Sequence, residues 1–215
     1  MSADPLVRLP SGRHGLSRED VLASQRGRLL LAVVDAVADK GYEAVTITDI
    51  VERAGVSRRV FYEQFANKEA GFLAAFELGV DHILNRLGAA VRSLPPEDWR
   101  GRIRASLEVY LAALAKEPGF ARSLHVEMLR AGPPVLARRA TLLTVFAERT
   151  RRAYQQARRL DPALPELPDT VFPLLAGGLD QLIREHLRTR EARTLPELAG
   201  PAIDATLILL GGPSA

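Results

Sequence analysis

The segment TITDIVERAGVSRRVFYEQFANKE, Thr46 to Glu69, constrains the fold more than any other stretch, because its spacing suits two short helices joined by a glycine turn. Thr46 stands where an N-cap is needed and Asp49 three residues on, the spacing of a capping box that satisfies the orphan amides of the first turn. Ile47, Ile50, Val51 and Ala54 fall at i, i+3, i+4 and i+7 and make one apolar stripe. Gly55 follows where a chain leaving a helix most easily takes a positive φ. Ser57 restarts the helix as its cap, with Val56 and Phe61 placed to pack together as a hydrophobic staple. Two helices joined in this way form a helix-turn-helix.

At about 100° per residue, Phe61 and Gln64 share one side of the second helix and Arg59 points almost directly away. Arg58 and Tyr62 share a flank, so the helix presents two guanidinium forks and a phenol outward. Such a fork fits the O6 and N7 acceptors of guanine, and it also fits phosphate. Two adjacent arginines on an isolated helix most often only solubilise it; the capped frame around these two favours contact. Glu63 lies on the same outer side, where a carboxylate repels phosphate unless it sits at the rim or accepts from a cytosine amino group. The spacing leaves both open.

From Arg28 to Glu69 the chain resembles the TetR family of transcriptional regulators. The matching elements are Arg28 upstream of the Gly41-Tyr42 pair, then Thr46, Ile50, the Ala54-Gly55-Val56-Ser57 turn, Phe61-Tyr62, Phe65 and Lys68-Glu69. The resemblance implies an all-α chain: a three-helix DNA-binding domain over residues 19–70, followed by a helical effector-binding and dimerisation domain over 71–215. It implies Thr46, Ser57, Arg58, Arg59, Tyr62 and Lys68 as DNA contacts, with Arg28 beside them, and assigns Tyr62 and Lys68 to phosphates. The partners it implies are a double-stranded DNA operator, a small-molecule effector and a second copy of the chain. Val37 and Val51 depart from the aromatic and alanine often found at their positions but remain apolar.

Composition agrees with an ordinary globular chain. With 215 residues, 47% hydrophobic and 26% charged, the sequence can bury a substantial core in one domain or two. It has no cysteine, hence no disulfide framework, thiolate metal site or cysteine nucleophile, which fits a reducing cytoplasm. The leader MSADPLVRLPSGRHG lacks an apolar core, and no stretch approaches the roughly 20 apolar residues that cross a bilayer, so neither secretion nor a membrane is expected. The net charge of +3 is not concentrated at the helix-turn-helix, because basic and acidic residues balance over residues 1–70. DNA contact must then rest on where charges point. Residues 1–18 read as a flexible basic arm, with Arg8, Arg13 and Arg18 against Asp4, either an inert leader or a supplementary DNA contact.

Downstream, heptad-like spacing predicts about nine helices in all. Ser17 with Asp20 is read as capping a short opening turn, and a first long helix as running from Ser24 to Lys40. Asn67 is expected to cap a long fourth helix that starts with no linker, carrying Leu73, Phe76, Val80, Ile83, Leu84, Leu87 and Val91 inward and stopping at Pro95-Pro96. A fifth uses Trp99, Ile103, Leu107, Tyr110, Leu111 and Leu114, and a sixth spans Phe120 to Arg130. A seventh carries Leu136, Leu142, Leu143, Phe146, Ala153 and Tyr154 inward. After the loop Asp161 to Pro168, an eighth runs from Asp169 to Arg190 with Phe172, Leu175, Leu179, Leu182, Ile183 and His186 inward. Thr194 and Glu197 are read as capping a ninth, which Pro201 either kinks or begins.

Phe172, Leu175, Leu179, Ile183, Ala202, Ala205 and Leu209 form the expected dimer face, with Ala176, Gly177 and Gly178 permitting close backbone approach. An effector pocket is expected among helices four to eight, lined by Phe76, Trp99, Tyr110, His125, Met128, Phe146 and Phe172, with Glu127 and Asp180 as further polar candidates. The histidines His14, His82, His125 and His186 form no close pair, and no glycine-rich phosphate loop or metalloprotease motif is present. No enzyme activity, cofactor or metal is therefore expected. The function expected is a homodimeric repressor released from a palindromic operator by its effector. The alternatives are an activator on the same fold, or a helical ligand-binding protein whose DNA module is inactive.

Overall fold

The structure is a computed structural model that describes residues 18–211. Residues 1–17 of the expected basic arm, with the Ser17 cap, lie outside the described residues. Nine α-helices follow in order: α1 (Arg18–Lys40), α2 (Ile47–Ala54), α3 (Arg58–Gln64), α4 (Lys68–Arg92), α5 (Trp99–Lys116), α6 (Pro118–His125), α7 (Pro133–Leu160), α8 (Val171–Thr189) and α9 (Ala199–Leu209), with 3-10 segments at Glu127–Arg130 and Ala192–Leu198. There is no strand among the described residues.

The first helix is continuous from Arg18, not a short turn followed by a helix at Ser24. No glycine or proline interrupts residues 18–24, so helix propagation meets no obstacle once it has begun. The expected sixth helix is divided: α6 starts with Pro118 at its first turn, where the missing N–H costs nothing, and the chain tightens to 3-10 from Glu127. Thr194 does not cap the last helix. It sits in a 3-10 segment that contains Pro196, and its hydroxyl donates to the Glu191 carbonyl at 2.8 Å. Pro201 lies in the first turn of α9, so it marks a start and not a kink.

One apolar core runs from the helix-turn-helix into the rest of the chain: Ile50, Phe61, Phe72, Leu111 and Met128 belong to the same cluster. Residue 70 is thus no break in packing. Phe72, and not only its neighbour Leu73, is the anchor at the start of α4, with its ring 5.0 Å from Tyr42. A second, smaller core joins Trp99, Tyr154, Phe172, Ile203 and Leu207. On α7 the inward residue is Val135, while Leu136 is 41% exposed; on α8 Leu182 is likewise turned outward.

The turn between α1 and α2 is held from both sides. Gly41 adopts φ 80°, a conformation glycine alone takes without strain, and a side chain there would meet the Glu127 carboxylate at 3.3 Å. The fully buried Glu127 accepts from the Tyr42 amide at 2.9 Å and from Arg130 at 3.0 Å. It is therefore a clasp between the 3-10 segment and the helix-turn-helix, not the pocket residue expected from sequence.

Candidate nucleic-acid interface and ligand cavity

The helix-turn-helix forms as its local signals require. Thr46 accepts from the Asp49 amide at 3.2 Å while Asp49 accepts from the Thr46 amide at 2.8 Å, completing a capping box. Lys40 pairs with the same carboxylate at 2.5 Å, and with the Thr46 hydrogen bonds it holds Asp49 well below the usual carboxylate range. Gly55 takes φ 64° and ends α2. Ser57 then accepts from the Val60 amide at 3.3 Å and starts α3. Phe61 is fully buried against Phe65, ring centroids 5.5 Å apart, with Val56 packed on the same core.

That anchoring fixes what faces outward. Arg58 is exposed, the Arg59 side chain is 88% exposed and Tyr62 is 53% exposed. Glu63 accepts from Arg59 Nε at 2.9 Å, one turn along the helix. An ion pair this exposed adds little stability. It orients the fork, because neither terminal amine of Arg59 has a protein partner among the described residues.

Two cations expected at DNA are turned inward instead. Arg28 donates to the Ala54 carbonyl at 3.1 Å, where it satisfies the exposed end of α2. Lys68 donates to the carbonyls of Tyr42 at 2.7 Å and Val45 at 3.0 Å and lies 4.5 Å from the Tyr42 ring centroid. With a third carbonyl, Glu43, at 3.4 Å, its three N–H groups are occupied. Both residues hold the module together.

A cavity of about 430 Å³ lies among α4, α5, α7 and α8. Trp99, Tyr110, His125 and Phe146 line it, as expected, and so does Asp180. Phe76 and Met128 do not: both are buried in the larger core. Phe172 faces a separate hollow between α7 and α8.

A hydrogen-bonded chain closes one end of the cavity. Tyr110 lies 3.1 Å from His125 Nε2, and His125 Nδ1 lies 3.0 Å from Asp180. Arg139 and Arg184 also donate to Asp180, the latter at 3.0 Å. Burial disfavours the Asp180 charge, but His125 and the two guanidiniums outweigh it and hold the carboxyl below its usual range. Burial holds the His125 imidazole below its ordinary value, against the pull of Asp180. Burial also pushes the Tyr110 phenol well up, so it stays protonated. An ionised carboxylate only accepts, so Nδ1 carries the imidazole proton and Nε2 accepts from the Tyr110 hydroxyl.

Residues 29–75, the helix-turn-helix and its flanks, match the family described as bacterial regulatory proteins, tetR family. The HTH-type transcriptional regulator EthR of Mycolicibacterium smegmatis is 26% identical over 213 residues, covering 96% of this chain and 92% of that protein. Over residues 29–75 the chain carries the DNA-binding module of the TetR family. The HTH-type transcriptional activator FasR of the same organism is 36% identical over 86 residues, but the match spans only 40% of this chain and 38% of FasR. The fold is also that of a transcriptional regulator FadR from Bacillus subtilis, solved in complex with stearoyl-CoA. The two align with a TM-score of 0.72 at 16% identity, over 86% of this chain and 98% of that one.

The expected dimer residues divide. Phe172, Ile183 and Ala202 are buried within the protomer, and Leu175 and Leu179 line the cavity. Ala205 and Leu209 remain exposed, joined by Leu174, Leu182 and Ile208. Side chains added at Gly177 or Gly178 would meet nothing within 4 Å. On α8 the outward apolar residues, Leu174 and Leu182, therefore lie one position, about 100° of helix, from the expected Leu175 and Ile183, while on α9 the expected Ala205 and Leu209 stay outward. Arg139 was missed altogether, although it had a signal: it sits at the four- and three-residue spacing of Val135, Leu142 and Phe146, a charge within an apolar stripe. The histidines do not gather with carboxylates into a metal-binding group among the described residues, and no described helix is long and apolar enough to cross a membrane.

Proposed function

We propose that this chain is a homodimeric, effector-responsive transcriptional repressor acting in the cytoplasm. The α3 helix of each copy would enter the major groove of one half of a palindromic operator. One observation carries the reading: a serine-capped helix, rooted by the buried Phe61, holds Arg58, Arg59 and Tyr62 toward solvent. Thr46 and Ser57 lie exposed at the two helix starts beside them, where their hydroxyls can reach phosphate. Arg59→Ala is expected to weaken binding to the cognate operator by about 1 to 3 kcal/mol. Gel shifts at fixed salt on operator and unrelated duplex check this, and an equal loss on both would reduce Arg59 to a backbone contact.

The second copy is expected to pack on the outward face of α8 and α9. Leu182, 47% exposed in the middle of that face, is the residue to change. Leu182→Glu places a charge in the centre of an apolar interface, and sedimentation is expected to report a monomer at micromolar concentration. A dimer that persists unchanged would move the interface elsewhere.

The cavity is the effector site in this reading. A coupling of about 1 to 3 kcal/mol between cavity and DNA changes operator affinity roughly 5- to 150-fold. The fold neighbour that holds stearoyl-CoA supports a long apolar effector. FasR, named an activator, keeps activation open as the sign of the response, and a reporter driven by the operator decides it.

A further inference from the structure

The cavity is long and differs at its two ends. On α7 its wall runs from Arg139 to Gln156, which at 1.5 Å per residue is about 25 Å. At one end Tyr110 packs on Phe146, centroids 5.6 Å apart, beside His125, Asp180 and Arg139. At the other end Trp99 stands edge-on to Tyr154 at 6.0 Å, near the exposed Arg149 and Arg152. Between them the wall is apolar, built from Ile103, Leu107, Leu142, Leu143, Leu175 and Leu179.

The buried end is electrically incomplete. Arg139 and Arg184 bring two guanidinium charges, Asp180 brings one carboxylate, and His125 is neutral, so one positive charge is left over. The Nε of Arg139 is also buried with no hydrogen-bond partner among the described residues. Buried charges are paired and buried donors are satisfied, and a single ligand group that does both is a carboxylate. An alcohol would supply an acceptor without charge. Toward the other end Arg149 and Arg152 are exposed, where attraction to an anion is screened, and the half-buried Arg102 donates its Nε to the Leu94 carbonyl.

We propose that the cavity takes a linear monocarboxylate amphiphile, its carboxylate seated on Arg139 and its tail lying along α7 toward Trp99. The proposal rests on the cavity's being the effector site and names the effector's chemistry.

Trp99 is the only tryptophan of the chain and lines the cavity, so its fluorescence reports binding in the full-length protein. Titration with decanoate, decanol and decanoyl-CoA is expected to rank decanoate at least about tenfold above decanol, a difference of about 1.4 kcal/mol. Arg139→Gln is expected to erase that preference while leaving the helical circular dichroism unchanged. If Arg139→Gln does not fold, the wild-type comparison of decanoate with decanol decides alone. Equal affinity for the two, a preference abolished instead by Arg149→Gln with Arg152→Gln, tighter binding of decanoyl-CoA than of decanoate, or no binding of any of the three would each overturn the proposal. Decanoate that binds with the expected preference but does not release operator DNA leaves the carboxylate seat standing and removes the effector reading.

Discussion

Phe61→Ala is expected to lower the unfolding free energy by about 3 to 5 kcal/mol. The ring is fully buried, stands edge-on to Tyr62 at 5.7 Å and tilted against Phe65 at 5.5 Å. It also packs against α4, where a side chain added at Gly71 would lie 3.4 Å from it. Removing it leaves a void between α3 and α4 that α1 and α2 cannot fill without moving. A seven-residue helix does not persist on its own, so α3 depends on this one docking residue for its pose. Urea denaturation followed by circular dichroism measures the loss, and operator binding is expected to fail well below the denaturation midpoint. A destabilisation under about 1 kcal/mol would mean that α3 is docked mainly by its other contacts.

Asp180→Ala is expected to cost about 3 to 5 kcal/mol for a different reason. The carboxylate is buried and answers His125, Arg139 and Arg184, and its removal strands two guanidiniums and an imidazole N–H. The wild-type pH dependence follows from the same cluster. His125, held below its ordinary value by burial, contributes stability that is fully present above about pH 6.5 and is lost as pH falls, because the unfolded imidazole takes up a proton first. The slope below that point is at most about 1.4 kcal/mol per pH unit for this one proton. Asp180 has its own folded value lowered, so its contribution is present above about pH 3.9 and fades under more acid conditions. Thermal or urea unfolding between pH 5 and 7 tests the first limb. The limb is expected to vanish in His125→Asn, and a wild type equally stable at both pH values would show that the imidazole is not held neutral.

How much was legible in advance depended on how far apart the interacting groups lie in the chain. The Thr46 box, the Gly55 turn and the Ser57 cap were all read correctly, because each is closed by atoms within a few residues of one another. The outward course of Arg58 and Arg59 follows from the same local geometry, given Phe61 as the inward mark. The carbonyl partners of Arg28 and Lys68 were not legible, because Ala54 and Tyr42 are each 26 residues away and only packing brings those carbonyls within reach. The cavity wall was half legible. Aromatic residues on an apolar stripe are equally suited to core and cavity: Phe76 and Met128 lie in the core away from the cavity, while Tyr110 and Phe146 pack with that core and also line the cavity.

By itself the sequence determined an all-helical chain, the caps and glycine turn of the helix-turn-helix, and a serine-capped α3 with its arginines outward, since these depend on periodicity, caps and turns within single elements. Tertiary structure decided which side of α8 and α9 stays exposed, that Glu127 clasps the Tyr42 turn, and that Arg139 meets Asp180 across 41 residues. A helix shows its apolar stripe in its own residues, but a helix touched on several sides has more than one buried face. Which neighbour covers which face depends on how the helices cross.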